Sequence, residues 1–217
     1  MIYEVPGKSL TFDIREDYFT DMIVVDETFR ENVYEVHGWH FNDADSVVVD
    51  IGANIGSFAI QAAGLGAKKV FAVEPEPNNL LALQNNIKIN SLDSTIEILS
   101  VGVSDFEGTA RITDDGGNST ISDDGASAIQ VTTLDRLFKD HGISNVSVLK
   151  IDVEGSEPQI ILGASKDTIN SCKYITIEFD IRSGTMLGDM VMKLSETHHV
   201  RTMGSWERGG MIFANRY

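Results

Sequence analysis

The strongest constraint on the fold of this sequence is a run of β-branched residues followed by a carboxylate and two glycines. Residues 46–51 contain three consecutive valines and end with Asp50 and Ile51, a pattern typical of a buried strand. Gly52 and Gly56 follow, and glycine permits a tight passage from strand to helix. Apolar residues then recur with the spacing of one helix face: Ile55, Phe58, Ala59, Ala62 and Ala63. This segment therefore predicts a strand, a tight turn and a helix.

Strand and helix patterns alternate along the rest of the chain. Predicted strands cover 69–73, 95–101, 146–151 and 173–179, and predicted helices cover 77–90, 155–164 and 184–197, with another that starts at Thr132 or Thr133. Two short strand patterns, 109–113 and 128–131, interrupt this rhythm, and two more, 199–203 and 211–215, form a terminal hairpin. The alternation predicts an α/β fold: a mostly parallel sheet with helices on both faces and an antiparallel strand from the hairpin.

The alternation of strands and helices begins only at residue 46, so we divide the chain there. Residues 1–45 are interpreted as an N-terminal extension that packs on the core, with a strand at 9–14 and a short helix at 28–36. Residues 46–217 form one predicted domain. Its polar segment 114–125 holds four aspartates, but their spacing does not match an EF-hand. We interpret that segment as a solvated loop, and we predict no metal site.

The charge balance and the cysteine content exclude several classes of protein. Asp and Glu number 33 against 17 Lys and Arg, which gives a net charge of -16. A surface this negative repels phosphate backbones and anionic lipids, so we expect no nucleic-acid or membrane partner. No apolar run approaches the ~20 residues of a membrane span, and we see no secretory signal pattern, so we expect a cytoplasmic protein. Cys172 has no second cysteine for a disulfide, and we expect a structural thiol.

Polar side chains follow four successive predicted strands. They are Asp50, Glu74, Ser104 with Asp105, and Asp152 with Glu154. Ligands of open α/β sheets bind at the carboxyl ends of the strands. Carboxylates that crowd at one edge also repel one another and need a ligand or hydrogen-bond donors to offset that cost. The sequence therefore predicts a ligand site at this edge.

The first turn indicates which ligand would bind there. A dinucleotide-binding loop has the pattern G-x-G-x-x-G, which places pyrophosphate at a helix N-terminus. This chain has Asp50-Ile51-Gly52-Ala53-Asn54-Ile55-Gly56 instead. A carboxylate before the loop would repel pyrophosphate and would suit an ammonium group, such as the methionine part of S-adenosylmethionine. Glu74 is placed to accept hydrogen bonds from ribose hydroxyls, a contact that NAD would share.

Residues 45–182 resemble the FkbM-type methyltransferases. The matching segments are Val49–Gly56, Val73–Asn79, Asn85–Ile87 with Asn90, Val103–Asp105, Thr133–Asp135, Leu149–Gly155 and Ile177–Phe179. The segment Lys150-Ile151-Asp152-Val153-Glu154-Gly155 is the most specific of them. Residues 28–35 also look like the entry helix of that family.

The resemblance implies a seven-stranded, Rossmann-like methyltransferase sheet that binds S-adenosylmethionine and methylates a hydroxyl of a sugar or another small molecule. By position, the turn from Asp50 through Gly52 and Asn54 to Gly56 would hold the methionine part. Glu74 would hold the ribose, Ser104 and Asp105 would lie near the adenine, and Asp152 would face the sulfonium.

Asp152 and Glu154 are the candidates to position or deprotonate the acceptor. Alternatively, Asp152 only contacts the cofactor and Glu154 caps the following helix. Glu178 and Asp180, at the end of a strand on the same edge, are candidates for acceptor binding. An NAD-dependent oxidoreductase and a non-catalytic binding module remain alternative interpretations.

Overall fold

A sheet of seven strands forms the centre of the computed structural model, which describes residues 1–16, 19–34, 45–113, 124–181, 183–205 and 207–217. Across the sheet the strands are β11 (His198–Ser205), β12 (Gly209–Arg216), β10 (Cys172–Phe179), β9 (Val146–Ile151), β3 (Val47–Ile51), β4 (Lys69–Val73) and β5 (Ile96–Leu99). β12 pairs antiparallel with β10 and β11, and the other neighbouring pairs are parallel. The predicted Rossmann-like sheet with its antiparallel hairpin strand is confirmed.

Two hydrophobic clusters cover the opposite faces of this sheet. Helices α2 (Ser57–Gly64) and α3 (Pro77–Ile89) pack on one face, and α4 (Leu134–Asp140), α5 (Glu157–Gly163), α6 (Lys166–Asn170) and α7 (Leu187–Leu194) pack on the other. Within β3, Val48 belongs to the first cluster, whereas Val49 and Ile51 belong to the second. Successive side chains of a strand point to opposite faces, which is why a buried strand is apolar throughout.

Two predicted elements are shorter than the sequence indicated. The helix predicted at 184–197 consists of a 3-10 turn, Gly184–Met186, followed by α7. The helix predicted at 155–164 begins only at Glu157.

Of the described helices, none combines the length and the apolar character that crossing a bilayer requires.

A second sheet of three strands corrects the prediction for the third strand. The strand predicted at 95–101 ends at Leu99, and the chain turns into β6 (Gly102–Ser104). β6 pairs with β8 (Ser127–Thr133), which also pairs with β7 (Gly108–Ile112). A side chain at Gly102 would press on Ile129 of β8, so the glycine permits this pairing. Most of the predicted loop 114–125 lies outside the described residues.

The N-terminal segment differs most from its prediction. β1 (Ile2–Glu4) pairs antiparallel with β2 (Thr11–Asp13), so the predicted strand 9–14 is shorter and has a partner. The helix predicted at 28–36 starts much earlier: α1 (Phe19–Asp26) continues into a π-helix, Glu27–Glu31. It ends at Asn32, whose left-handed backbone terminates a helix. The last residues of that predicted helix, 35 and 36, are outside the described part of the chain.

Side-chain amides of α3 attach the N-terminal hairpin to the domain. The Asn86 side chain is fully buried, accepts the Asp13 N–H at 2.7 Å and donates to the Ile55 carbonyl at 3.0 Å. Asn90 likewise accepts the Thr11 N–H at 2.9 Å and donates to the Thr11 carbonyl at 2.7 Å. The asparagines that the sequence groups into one motif therefore join β2, α3 and the turn after β3.

Replacing Asn86 should destabilise the protein, whereas the same change one residue earlier should not. In Asn86→Leu the Asp13 N–H and the Ile55 carbonyl lose their partner, which should lower the free energy of unfolding by about 1–3 kcal/mol. Asn85 is exposed and its side chain donates to Oδ2 of Asp13 at 2.9 Å on the surface, where water can replace it, so Asn85→Leu should stay within about 0.5 kcal/mol. Urea unfolding measures both. Equal losses would show that the buried amide does not hold the hairpin.

Candidate functional site

A cavity of about 270 Å³ lies at the carboxyl ends of the central strands. Strand order reverses between β3 and β9, and open α/β sheets bind ligands at such a switch point. Residues from both the sheet and the N-terminal helices form its wall, among them Glu27, Tyr34, Gly52, Asn54, Glu74, Lys150, Asp152, Glu154 and Glu178. Four of these, Glu27, Tyr34, Lys150 and Glu178, are not among the predicted cofactor-binding or catalytic residues.

The glycines of the first turn let the backbone pass close to neighbouring parts of the fold. Gly52 has a φ of +80°, and a Cβ there would overlap the carbonyl oxygen of Asp152 at the end of β9. The N–H groups of Gly52 and Ala53 both donate to the Val73 carbonyl of β4. Gly56, with a φ of +92°, leads into α2, and a Cβ there would clash with Leu83. Gly52 thus lines the cavity, while Gly56 is buried behind it.

Glu74 is held rigidly at the end of β4. Its Oε2 accepts the Asn54 N–H at 2.8 Å, and its Oε1 accepts the Glu76 N–H at 2.8 Å. Burial raises the pKa of Glu74 to about 7, although these hydrogen bonds oppose the shift. Oε1 also accepts the Asn79 side-chain amide at 3.5 Å. A carboxylate has about four lone-pair sites, so Oε2 can still accept a hydrogen bond from a ligand in the cavity that Glu74 lines.

Asp50 lies beneath the turn and is fully buried. Its Oδ1 is 3.1 Å from the ammonium nitrogen of Lys150, its partner in the neighbouring strand β9. Burial raises the pKa of Asp50 to about 6, while Lys150 opposes that shift. The structure therefore gives Asp50 a protein cation as its partner, and its predicted contact with a ligand's ammonium group stays a prediction.

Lys150 connects the ends of β3 and β9. Besides Asp50, its Nζ lies 3.4 Å from Oδ2 of Asp152 and donates to the Gly52 carbonyl at 2.8 Å. It also lies 5.4 Å from the centre of the Tyr34 ring. Burial disfavours the ammonium group, but the two aspartates outweigh it and raise the pKa of Lys150. The signal for this residue is visible in the sequence as a lysine inside an apolar strand, and the sequence-based reasoning missed it.

Asp152 also accepts a hydrogen bond from the N-terminal segment. The hydroxyl of Tyr34 donates to Asp152 Oδ2 at 2.9 Å and lies 3.5 Å from Oε2 of Glu178. Burial and these two carboxylates raise the pKa of Tyr34 well above its usual value, so the phenol stays protonated. Burial raises the pKa of Glu178 to about 8, with a further contribution from Asp152. The predicted acceptor-binding residue Glu178 thus lines the same cavity as Asp152.

The turn after β9 brings Glu154 to the cavity. Glu154 has a left-handed backbone, with a φ of +57°, and lines the cavity. The N–H groups of Val153 and Gly155 donate to Oε1 of Glu157, at 3.2 Å and 3.0 Å. Glu157, in the first turn of α5, therefore holds this turn, and the alternative role of Glu154 as a cap of that helix stays a prediction.

Ser104 and Asp105 lie outside the cavity wall. Ser104 ends β6 in the small sheet, and Asp105, which follows it, packs beside Gly163 of α5. Val101, Gly102, Val103 and Ile112 line the cavity in that region instead. These two residues follow β6 of the small sheet because the chain leaves the main sheet at Leu99. Their predicted contact with adenine stays a prediction.

Comparison with known proteins links this geometry to one family. The model of the "Methyltransferase FkbM domain" matches residues 50–203. The chain is 27% identical over 167 residues to hexuronic acid methyltransferase AglP of Haloferax volcanii, covering 71% of this chain and 63% of that protein. It is 36% identical over 94 residues to protein arginine N-methyltransferase 1 of Caenorhabditis elegans, covering 43% of this chain and 26% of that protein.

A solved structure shows the same fold. The crystal structure of methyltransferase FkbM from Methylobacillus flagellatus superposes with a TM-score of 0.58 at 20% identity, over 92% of this chain and 56% of that one. The chain thus spans less than two thirds of the length of these relatives.

An alanine at Gly52 should be far more costly than one at a glycine with a similar backbone and free space. Gly52→Ala combines a left-handed backbone with a clash against Asp152, so we expect a loss of more than about 3 kcal/mol or no folded protein. Gly7 has a φ of +72°, and a Cβ added there would meet no atom within 4 Å, so Gly7→Ala should cost only about 1–2 kcal/mol. Urea unfolding measures the free energy of unfolding of both variants. Equal losses would mean that the end of β9 moves to accommodate the added methyl group.

Removing the Lys150 ammonium group should destabilise the protein through Asp50. Lys150→Met leaves a buried carboxylate without its cation and should lower the free energy of unfolding by about 3–5 kcal/mol. Adding Asp50→Asn should restore part of that loss. The control is Lys69→Met at an exposed ion pair with Glu97, where we expect less than about 1 kcal/mol. A double variant no more stable than Lys150→Met alone would contradict the pairing.

Proposed function

Since the chain belongs to the methyltransferase FkbM domain family, we propose that it transfers a methyl group from S-adenosylmethionine to a hydroxyl of a sugar or another small molecule. One observation carries this proposal. Asn54, Glu74 and Asp152, which follow three different strands of the sheet, line a single cavity at the switch point. A site of this form can bind a nucleoside with an amino-acid tail along the strand ends.

The residues present fit that cofactor. Asn54 Oδ1 is buried and has no hydrogen-bond partner among the described residues, so it is an acceptor that a ligand donor would satisfy. Glu74 offers Oε2, which has one protein donor, to a ribose hydroxyl. Gly52 brings the backbone to the cavity without a side chain. We assign these three residues to cofactor binding and Asp152 to the region of the sulfonium.

A hydroxyl-bearing acceptor is supported by the rest of the wall. Carboxylates and the hydroxyl of Tyr34 are hydrogen-bonding partners suited to a polyol. AglP is named as a hexuronic acid methyltransferase, and it matches more of this chain than does the arginine N-methyltransferase. The excess of acidic residues disfavours a nucleic-acid acceptor.

In this mechanism the bound cofactor supplies an electrophilic methyl carbon. The chain must hold the acceptor oxygen in line with that carbon, exclude water and accept a proton. Orientation of the reactants can contribute up to about 7–11 kcal/mol, and a general base adds roughly 10²–10⁴-fold. Asp152 and Glu154, the sequence-based candidates, both line the cavity and can position the acceptor hydroxyl.

Cofactor binding can be measured without knowing the acceptor. Isothermal titration calorimetry with S-adenosylhomocysteine should give saturable heat, whereas NAD should give none. Glu74→Gln should weaken binding roughly 10–100-fold, because a hydrogen bond to a charged group contributes about 1.5–3 kcal/mol. Glu4→Gln, at an exposed position of β1, is the matched control and should bind normally.

Different outcomes separate the alternative functions. No heat with S-adenosylhomocysteine would overturn the proposal, and heat with NAD would favour an oxidoreductase. Turnover is then tested by mass spectrometry on a panel of neutral, amino and uronic sugars. Normal cofactor binding without a methylated product from any of them would favour a non-catalytic binding module.

A further inference from the structure

Glu178 stands at the end of β10, on the cavity wall that the N-terminal helices complete. Resting on the proposed function, we propose that Glu178 is the general base that takes the proton of the acceptor hydroxyl, and that Asp152 is held in place beside it by Lys150 and Tyr34. This assigns the proton to a residue other than Asp152 and Glu154, and it gives Tyr34 the role of a positioning residue.

Asp152 is less available to the acceptor hydroxyl because two protein groups already engage one of its oxygens. One of its oxygens, Oδ2, is 3.4 Å from the Lys150 ammonium nitrogen and accepts the Tyr34 hydroxyl at 2.9 Å. An acceptor hydroxyl would compete with both groups for this oxygen. Asp152 therefore suits electrostatic and positional roles better than proton transfer.

The surroundings of Glu178 differ from those of Asp152. The ion pairs that Lys150 forms within the described ranges are with Asp50 and Asp152, not with Glu178. The charged and titratable groups facing Glu178 are Asp152, Lys150, Glu27, Glu154 and Tyr34. Burial and the neighbouring carboxylates raise its pKa to about 8, although Lys150 opposes the shift. A base whose pKa lies near the working pH transfers protons most effectively.

Tyr34 connects the two carboxylates. Its hydroxyl donates to Asp152 at 2.9 Å and makes a longer hydrogen bond of 3.5 Å to Oε2 of Glu178, and Glu178 also lines the cavity. An acceptor hydroxyl can therefore donate to Glu178 while Asp152 remains occupied. The N-terminal helix segment also adds Glu27 to this wall, and desolvation together with Asp152 raises the Glu27 pKa too.

The step balances without another reactant. A lone pair of the acceptor oxygen forms the new bond to the methyl carbon, and the carbon–sulfur bond breaks with its electron pair on sulfur. The acceptor proton moves to a carboxylate oxygen of Glu178. Solvent takes that proton after the methylated product leaves.

The pH dependence has a defined sign. Glu178 acts only in its ionised form, so kcat at saturating cofactor should rise with pH below the Glu178 pKa and level off above it. The positive sulfonium lowers that pKa in the loaded protein, which places the midpoint below the value of about 8 in the cofactor-free protein. A rate that does not change from pH 6 to 9 would overturn the proposal.

Protonation of Glu178 can be observed directly by ¹³C NMR of protein labelled at the glutamate carboxyl carbon. The resonance missing from Glu178→Gln assigns the residue. In the cofactor-free protein we expect its titration midpoint between about 7 and 9, far above the ~4.3 of an unperturbed glutamate. A midpoint below 6 would overturn the base assignment whether or not an acceptor has been found.

Turnover of the acceptor identified in the panel gives the second test. Glu178→Gln should lower kcat at least 100-fold with S-adenosylhomocysteine affinity within threefold of wild type, Glu178→Asp should restore part of kcat, and Glu4→Gln should match wild type. A Glu178→Gln protein that keeps more than a tenth of wild-type kcat would overturn only the base role. Failure of wild-type protein to bind S-adenosylhomocysteine would instead refute the proposed function.

Discussion

The buried ammonium group of Lys150 is the interaction on which the site depends. An unpaired lysine in the interior would be costly, and here Asp50, Asp152 and the Gly52 carbonyl offset that cost. These partners belong to the ends of β3 and β9, the two strands between which the strand order reverses. Lys150 therefore fixes the shape of the first turn and the position of Asp152 together. The stability of the sheet centre and the geometry of the cavity thus rest on the same few atoms.

The N-terminal segment is part of this arrangement. Tyr34 reaches Asp152 across 118 positions of sequence, and Asn86 fixes the hairpin that precedes the helix carrying Glu27. The hydrophobic residues of the segment belong to the same cluster as those of α2 and α3. A change in β2 or α1 can consequently alter the cavity without touching the sheet, because the wall that faces the strand ends is built from these residues.

Sequence patterns predicted the sheet well and its charged centre poorly. Strands such as Val47–Ile51 are apolar throughout because they are buried on both faces, and that pattern is local. The contacts of Lys150 and Tyr34 join residues far apart in the chain, so no local period marks them. The third strand was predicted too long since Val101 and Val103 continue an apolar pattern, while the chain in fact turns into a second sheet. Glu74 and Asp152 were found because strand ends are identifiable from sequence, and both line the cavity.

Among the described residues, the cavity wall contains more carboxylates than Lys150 can neutralise. Glu27, Glu74 and Glu178 all have raised pKa values, and burial is the largest cause for each. A raised carboxyl pKa means that the folded protein binds the proton more tightly than the unfolded chain, so each of these groups stabilises the fold less as the pH rises through its pKa. A positively charged ligand reverses that relation, since it favours the ionised carboxylates. The proposed recognition of a cationic sulfonium and the proposed role of Glu178 as a base then share one cause: carboxylates crowded at the edge of a sheet where Lys150 is already paired.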